Sequence, residues 1–302
     1  MALLLGCVVV YLGLLELATR AVYPRMSEGK FRELTDYRTA LQIQPAPAGR
    51  KSVLLIGNSL LLEGVERERL RQALAPMAEV TLFPIEGTSY LDWYYGMRRF
   101  FREGTRPEVV VLCINARQVL SDSTNGERFA NSMMSLADLW RVKQAAGLDS
   151  MTTSNYFFAN LSAWVGDRTY VRNGLLEKLV PGVKRLVGYF TQRDPNSMTA
   201  TGAVVERSRR RLEDFQALTR QYGARFVWLV PPTLNSADPA PSIADATAAD
   251  LSVIIPYAPA SLSLADFADG FHLNSRGAEK FTERTIPLLQ AALSRSAGGS
   301  SQ

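Results

Sequence analysis

The 302-residue chain reads as an α/β protein on a doubly wound parallel sheet, with an N-terminal transmembrane helix and a helical insertion. Three observations predict this. Short continuous apolar runs end at glycine, asparagine or proline, as strands buried on both faces do. Segments with helical spacing alternate with those runs, which is how parallel strands are joined. One N-terminal stretch, Ala2 to Ala18, is 17 residues long and almost wholly apolar.

The elements follow in order. Ala2 to Ala18 would span about 26 Å as a helix, close to the hydrocarbon thickness of a bilayer. Residues 1–22 are therefore expected to anchor the chain, with Glu16 near the interface. Leu4-Leu5-Gly6-Cys7 resembles a lipoprotein cleavage box, but no basic residue and too few apolar ones precede the cysteine. No small-x-small cleavage site follows, so an uncleaved anchor is favoured over a signal peptide. Arg20, Arg25, Lys30 and Arg32 all lie after the segment, which by the positive-inside rule would leave the rest of the chain cytoplasmic.

Residues 23–50, ending in Pro45-Ala46-Pro47-Ala48-Gly49, read as a linker to an α/β domain over 51–295. Ser52 to Ile56 is the first strand, closed by Gly57, and Glu63 to Ala75 the helix after it. Glu79 to Phe83 is the second strand, Tyr90 to Arg102 an aromatic helix, and Glu108 to Ile114 the third strand. About 130–190 the pattern is helical without a strand, a helical insertion over the core. Val204 to Tyr222 is a basic amphipathic helix ended by Gly223, and Ala224 to Val230 a fourth strand stopped by Pro231-Pro232. Val253 to Tyr257 is a fifth strand candidate, and Ser275 to Leu293 a final helix with Ser275 as its N-cap. The tail, 296–302, is expected to be disordered.

The net charge of +5 suits an anionic surface, and the Arg98-Arg99 and Arg209-Arg210-Arg211 runs read as solvated helix faces, so no nucleic-acid partner is expected. Cys7 and Cys113 suggest neither a disulfide nor a metal site. No metal-ligand cluster, phosphate loop or dinucleotide fingerprint is present in the sequence, and no cofactor is expected.

In a doubly wound sheet, ligands bind at the carboxyl ends of the strands, so functional residues should fall just after strands. Ser59 does so, two residues past the first strand. In isolation, a turn serine capping the next helix accounts for it better. As a nucleophile it would sit at a helix N-terminus, where its own N–H favours a developing oxyanion. His272 is the only histidine, and Asp269 lies three residues before it, a spacing that lets a turn bring carboxylate to imidazole Nδ1 while Nε2 faces a serine. Gly87 follows the second strand and Asn115 ends the third, and the Gly87 N–H and Asn115 amide are candidate oxyanion donors.

These four blocks, Gly57-Asn58-Ser59, Gly87, Cys113-Ile114-Asn115 and Asp269-Gly270-Phe271-His272, resemble the SGNH (GDSL-like) hydrolase superfamily over about 52–290, outside the helical region. The last block continues into Leu273 and Gly277 in the usual pattern. Asn58 stands where the superfamily usually has Asp, and Cys113 where it has Gly. The Gly-x-Ser-x-Gly elbow of α/β-hydrolases is absent, since Leu61 occupies its second glycine position.

The resemblance implies a flavodoxin-like three-layer fold and a serine esterase or acyltransferase. Its catalytic residues would be Ser59, Asp269 and His272, with an oxyanion hole from Ser59, Gly87 and Asn115. With an N-terminal anchor, the chain is also similar to bacterial envelope proteins such as the D-alanyl-transfer protein of teichoic-acid synthesis and the accessory proteins of polysaccharide O-acetylation. That likeness implies an acylated glycan or other ester as substrate, a multi-spanning membrane O-acyltransferase as partner, and a periplasmic or extracellular domain, against the flanking charges. Two alternatives stand beside it. One is a lipid or small-ester hydrolase whose acyl pocket is lined by Tyr90, Trp93, Tyr94, Tyr95, Phe100 and Phe101, residues that core or membrane-interface packing explains better. The other is a non-catalytic scaffold or glycan-binding subunit.

Overall fold

The computed structural model describes residues 1–179, 198–247 and 251–294. Two compact units are present: Met1–Thr35 with Asp122–Asp194, and Asp36–Ser121 with Pro195–Gln302.

The second unit holds the sheet. Its strands are β1 (Lys51–Gly57), β2 (Ala78–Pro84), β3 (Val109–Cys113), β4 (Arg225–Leu229) and β5 (Ser252–Ile254). They run parallel in the order β2-β1-β3-β4-β5. This is the flavodoxin-like doubly wound order, whose strand order reverses between β1 and β3. The predicted fold class is the observed one, and the four principal strands lie within two residues of their predicted bounds. The fifth is shorter than Val253 to Tyr257, because Pro256 has no N–H to continue a ladder.

Side chains alternate between two buried faces. Val53, Leu55, Val111 and Leu229 join a core with Leu70, Leu74, Phe281 and Leu289 on one side. On the other, Phe83 packs edge-on against Trp93 and Phe100, and Phe226 stacks on Phe215. Both faces being covered is what makes β1 read as one continuous apolar run.

The helix expected over Glu63 to Ala75 is two pieces, α4 (Ser59–Gly64) and α5 (Arg67–Leu74). Gly64 ends the first, Val65 turns extended to bury its side chain, and Thr282 Oγ1 accepts the freed Glu66 N–H at 2.9 Å. Helix α6 (Tyr90–Arg102) matches its predicted bounds, with Ser89 and Asp92 as a capping box. Then come α7 (Ala116–Leu120) after β3 and, in the other unit, α8 (Gly126–Ser132), α9 (Leu139–Ala146), α10 (Ser150–Leu161) and α11 (Ala163–Leu179). The sheet unit resumes with α12 (Gly202–Gln221), α13 (Ala240–Ala246) and α14 (Ser275–Ser294). Asn274, not Ser275, caps α14: its Oδ1 accepts the Gly277 N–H at 3.1 Å.

The first unit contains α1 (Ala2–Ala21), α2 (Tyr23–Met26), the first half of α3 (Glu28–Leu41) and α8 to α11. Much of the 23–50 stretch expected as linker is thus helical. The α1 segment is long and apolar enough to cross a membrane, with a mean hydropathy of 2.2 over its best window. The helical region expected over 130–190 begins at Gly126 and clusters with the N-terminal segment, a grouping that local patterning does not encode. Lys30, Glu33, Arg128 and Asp167 form a buried charge network at its centre, with Lys30 Nζ 2.9 Å from Asp167 Oδ2. The last part of the insertion and the 296–302 tail lie outside the described residues.

Candidate active site

The sheet register sets the site. Pro84, Gly57, Cys113 and Leu229 are aligned across neighbouring strands in one row at the carboxyl edge. Ser59 and Asn115 each follow that row by two residues, and Gly87 follows it by three. Gly57 is required there: a Cβ would lie 2.4 Å from the Cys113 carbonyl oxygen.

Ser59 is the first residue of α4, and Asn58 is the N-cap, its Oδ1 accepting the Leu60 N–H at 3.0 Å. Asn58 has a second job. Its amide Nδ2 also donates to the Thr88 carbonyl at 3.0 Å, from a position 1% exposed. An ionised Asp has no donor for that carbonyl.

The structure brings Ser59, His272 and Asp269 into one hydrogen-bonded chain. His272 Nε2 lies 2.9 Å from Ser59 Oγ, and His272 Nδ1 lies 2.7 Å from Asp269 Oδ2. The other carboxylate oxygen, Oδ1, accepts the backbone N–H groups of Phe271 at 2.9 Å and His272 at 2.7 Å. Burial alone would raise the Asp269 pKa, but the bonds from the His272 ring and these two N–H groups outweigh it and hold the carboxyl below its ordinary value. The imidazole is thus clamped by a carboxylate fixed on the same turn. Glu63, one turn into α4 from Ser59, shows the opposite balance. Burial, reinforced by the charges of Glu86 and Asp269 and opposed by His272, raises its carboxyl above the ordinary range.

The loop that presents His272 is held by Asp266, a residue outside the candidates that the sequence offers. Its side chain is 2% exposed, with Lys280 Nζ at 2.7 Å and Arg276 Nε at 3.1 Å. The bond from Lys280, with those from Ser263, keeps its carboxyl below the ordinary value. Its backbone oxygen accepts the Asn274 N–H at 3.0 Å, and Asn274 Nδ2 donates back to Ala265 at 2.8 Å. Gly277 passes so close that a Cβ would sit 2.1 Å from the Asp266 oxygen. Ser263-x-x-Asp266 is a capping-box spacing, the signal that could have found it.

Asn115 caps α7. Its Oδ1 accepts the Gln118 N–H at 2.9 Å, and Gln118 Oε1 accepts the Asn115 N–H at 3.0 Å, so Nδ2 is the end that can serve a ligand. Asn115 lines a cavity of about 20 Å³ with Leu60, Arg117, Met198, Pro232, Thr233, Asn235, Asp238, Gly270 and Phe271. Gly87 lies in the exposed turn after β2 at φ 74°, a left-handed conformation that favours glycine, and does not line that cavity.

Cys113 is fully buried in the core, and burial pushes its thiol well up, so it acts as a small apolar side chain. Tyr90, Trp93, Tyr95, Phe100 and Phe101 are buried as well, which makes them core rather than an acyl pocket. The basic runs are engaged too: Arg209 pairs with Glu206 and Glu213, Arg210 with Glu206, and Arg211 with the Val119 and Ser121 carbonyls. A larger cavity of about 680 Å³ lies against β5 and α14, with Asp245 as the one titratable side chain in its lining among the described residues. Among the described residues no group of three or more His, Cys, Asp or Glu side chains is set to hold a metal ion.

No protein-family model matches the chain, and no curated protein matches it. Among solved structures it is similar to a candidate acylhydrolase from Bacteroides fragilis NCTC 9343, at 11% identity over 85% of this chain and 95% of that one, with a TM-score of 0.43. It is also similar to the lipase Lip_vut3 from a goat rumen metagenome, at 11% identity over 80% of this chain and 97% of that one, with a TM-score of 0.38. At these values neither likeness carries an argument about the chemistry, which rests on the geometry above.

Proposed function

We propose that the chain is a membrane-anchored serine esterase or O-acyltransferase of the SGNH type, acting on small acyl esters of a cell-envelope glycan. The observation that carries the reading is the continuous path from Ser59 Oγ through the His272 ring to Asp269, at 2.9 and 2.7 Å.

In the proposed reaction Ser59 Oγ attacks the acyl carbonyl carbon while its proton passes to His272 Nε2. The negative charge that forms on the carbonyl oxygen is met by the N–H groups of Ser59 and Gly87 and by Asn115 Nδ2. Asp269 holds the ring with Nδ1 protonated and stabilises the imidazolium. The tetrahedral adduct collapses, the C–O bond to the alcohol breaks, and Nε2 returns the proton to the departing oxygen. Water or a sugar hydroxyl then attacks the acyl-Ser59 ester by the same path, restoring the serine.

The cavity beside Asn115 supports a small acyl group. At about 20 Å³ it has room for one or two water-sized groups, and Leu60, Gly270 and Phe271 in its lining adjoin Ser59 and the His272 turn in sequence. Asp269 is 54% exposed and His272 24%, an openness that suits an ester on a bulky polymer. The α1 segment supplies the anchor in this reading, with a multi-spanning O-acyltransferase as acyl donor and the catalytic unit outside the cytoplasm.

Hydrolysis of a chromogenic acetyl ester by the full-length chain tests the proposal against Ser59→Ala and His272→Ala. The parent should release chromophore and both variants should lose all but a residual rate. Equal release by all three would leave a non-catalytic scaffold as the better reading.

A further inference from the structure

The corner between α10 and α11 carries a set of features that the catalytic site does not use. Phe157 is 38% exposed, Phe158 57% and Leu161 56%, and the two phenyl rings lie 5.5 Å apart. The corner is joined directly to α1. Glu16 accepts hydrogen bonds from the Ser162 hydroxyl at 2.7 Å, the Ala163 N–H at 3.0 Å and the Trp164 N–H at 3.1 Å. Arg20 Nε completes the carboxylate at 2.6 Å. Glu16 lies five residues before the end of α1, about 7–8 Å inside it at the helical rise, with exposed Leu14 and Leu17 on either side.

The N–H groups at the start of α11 are engaged within the protein. All four initial N–H groups of α11 have acceptors: Ala163 and Trp164 on Glu16, Val165 on the Ser162 hydroxyl, and Gly166 on the Ser162 carbonyl. Asn131 donates to the carbonyls of Ala159 and Ser162, and Asn160 to those of Ala130 and Met134. A helix start exposed to water has no need of such closure, whereas irregular backbone at membrane depth requires it.

We infer that the α10–α11 corner is a membrane-inserted wedge, with Phe157, Phe158 and Leu161 set among lipid at the headgroup–acyl boundary beside α1. The inference rests on the reading that α1 crosses a bilayer. Lipid is the occupant because the corner is continuous with the apolar surface of α1 through Glu16, and because its exposed apolar side chains surround a helix start whose N–H groups are all engaged within the protein. At the other end of α10, about 15 Å away at the helical rise, Asp149 caps the helix with an exposed carboxylate, so that end belongs in water. The corner would thereby dock its helical unit on the membrane surface by a second contact besides the anchor.

Nitroxide labels on the full-length chain in phosphatidylcholine–phosphatidylglycerol vesicles test this. Phe158→Cys, Leu161→Cys and Met151→Cys are each made with Cys7→Ser, and native Cys7 is labelled separately as the α1 reference. All these positions are exposed, and circular dichroism checks that each variant is folded. Labels at 158 and 161 should be reached by oxygen and shielded from an aqueous nickel chelate, as at position 7, whereas the label at 151 should be open to nickel. Nickel access at 158 and 161 equal to that at 151, with position 7 shielded, overturns the wedge and leaves the anchor standing. It would also point to a protein partner for the corner, since these vesicles contain none. Nickel access at position 7 overturns the anchor and the wedge together.

Discussion

Asn58 ties the turn after β1 to the turn after β2: its amide Nδ2 donates to the Thr88 carbonyl at 3.0 Å while its Oδ1 caps the helix that Ser59 begins. This is a physical reason for asparagine, rather than aspartate, at this position. A buried carboxylate would face a carbonyl oxygen with no proton between them. Asn58→Asp is therefore expected to destabilise the protein by about 2–4 kcal/mol and to lower kcat/KM about tenfold or more. Denaturation midpoints and ester hydrolysis measured on the same samples check both.

The loop that carries Asp269 and His272 depends on Asp266. Asp266→Asn leaves Lys280 and Arg276 without their charge partner and is expected to cost about 1–3 kcal/mol. The pH dependence has a definite sign. The folded-state pKa of Asp266 is depressed, so its contribution is present above the unfolded value of about 4 and is lost as the pH falls through the lower folded value. On acidification from pH 6 to pH 3, the parent should lose more stability than Asp266→Asn. An equal loss would remove Asp266 from the account of the loop.

Gly277→Ala probes the same loop sterically. The added Cβ would lie 2.1 Å from the Asp266 oxygen and 2.9 Å from Leu273 Cδ2, and backbone cannot yield as a flexible side chain would. The expected cost is about 3 kcal/mol or more, read as a lowered unfolding midpoint. Gly174, whose Cβ would meet nothing within 4 Å, provides the control: Gly174→Ala should leave the midpoint unchanged or raise it.

The two cysteines should differ in reactivity. Cys7 is exposed, and Cys113 is buried with its thiol pushed up. N-ethylmaleimide, small and apolar enough to enter the detergent around α1, should modify Cys7 alone in the native chain, and Cys113 only after unfolding. Mass spectrometry before and after denaturant reads the count directly.

The strands were legible because both faces of the sheet are covered, which turns β1, β3 and β4 into unbroken apolar runs. The grouping of Ser59, His272 and Asp269 was legible because one histidine leaves one candidate base, and because sites in this fold follow strand ends. What escaped was tertiary. Local spacing does not reveal that Val65 must turn extended to reach the core, splitting the first helix in two. Nor does it reveal that 122–194 pack with the N-terminal segment, since that grouping depends on partners far away in sequence, such as Lys30 with Asp167. The roles of Asn58 and Asp266 escaped for a related reason. Each acts through a hydrogen bond or ion pair outside its own turn, to Thr88 and Lys280, and no periodicity records such a bond.

Covalent labelling of the solubilised full-length chain by a fluorophosphonate probe bears most directly on the Ser59–His272–Asp269 relay. A serine activated by His272 should be phosphonylated at Ser59 Oγ, with the adduct mapped to that peptide, absent from Ser59→Ala and slowed about 10³-fold or more in His272→Ala. A folded chain whose Ser59 stays unmodified, or is modified as fast without the imidazole as with it, would contradict the assignment.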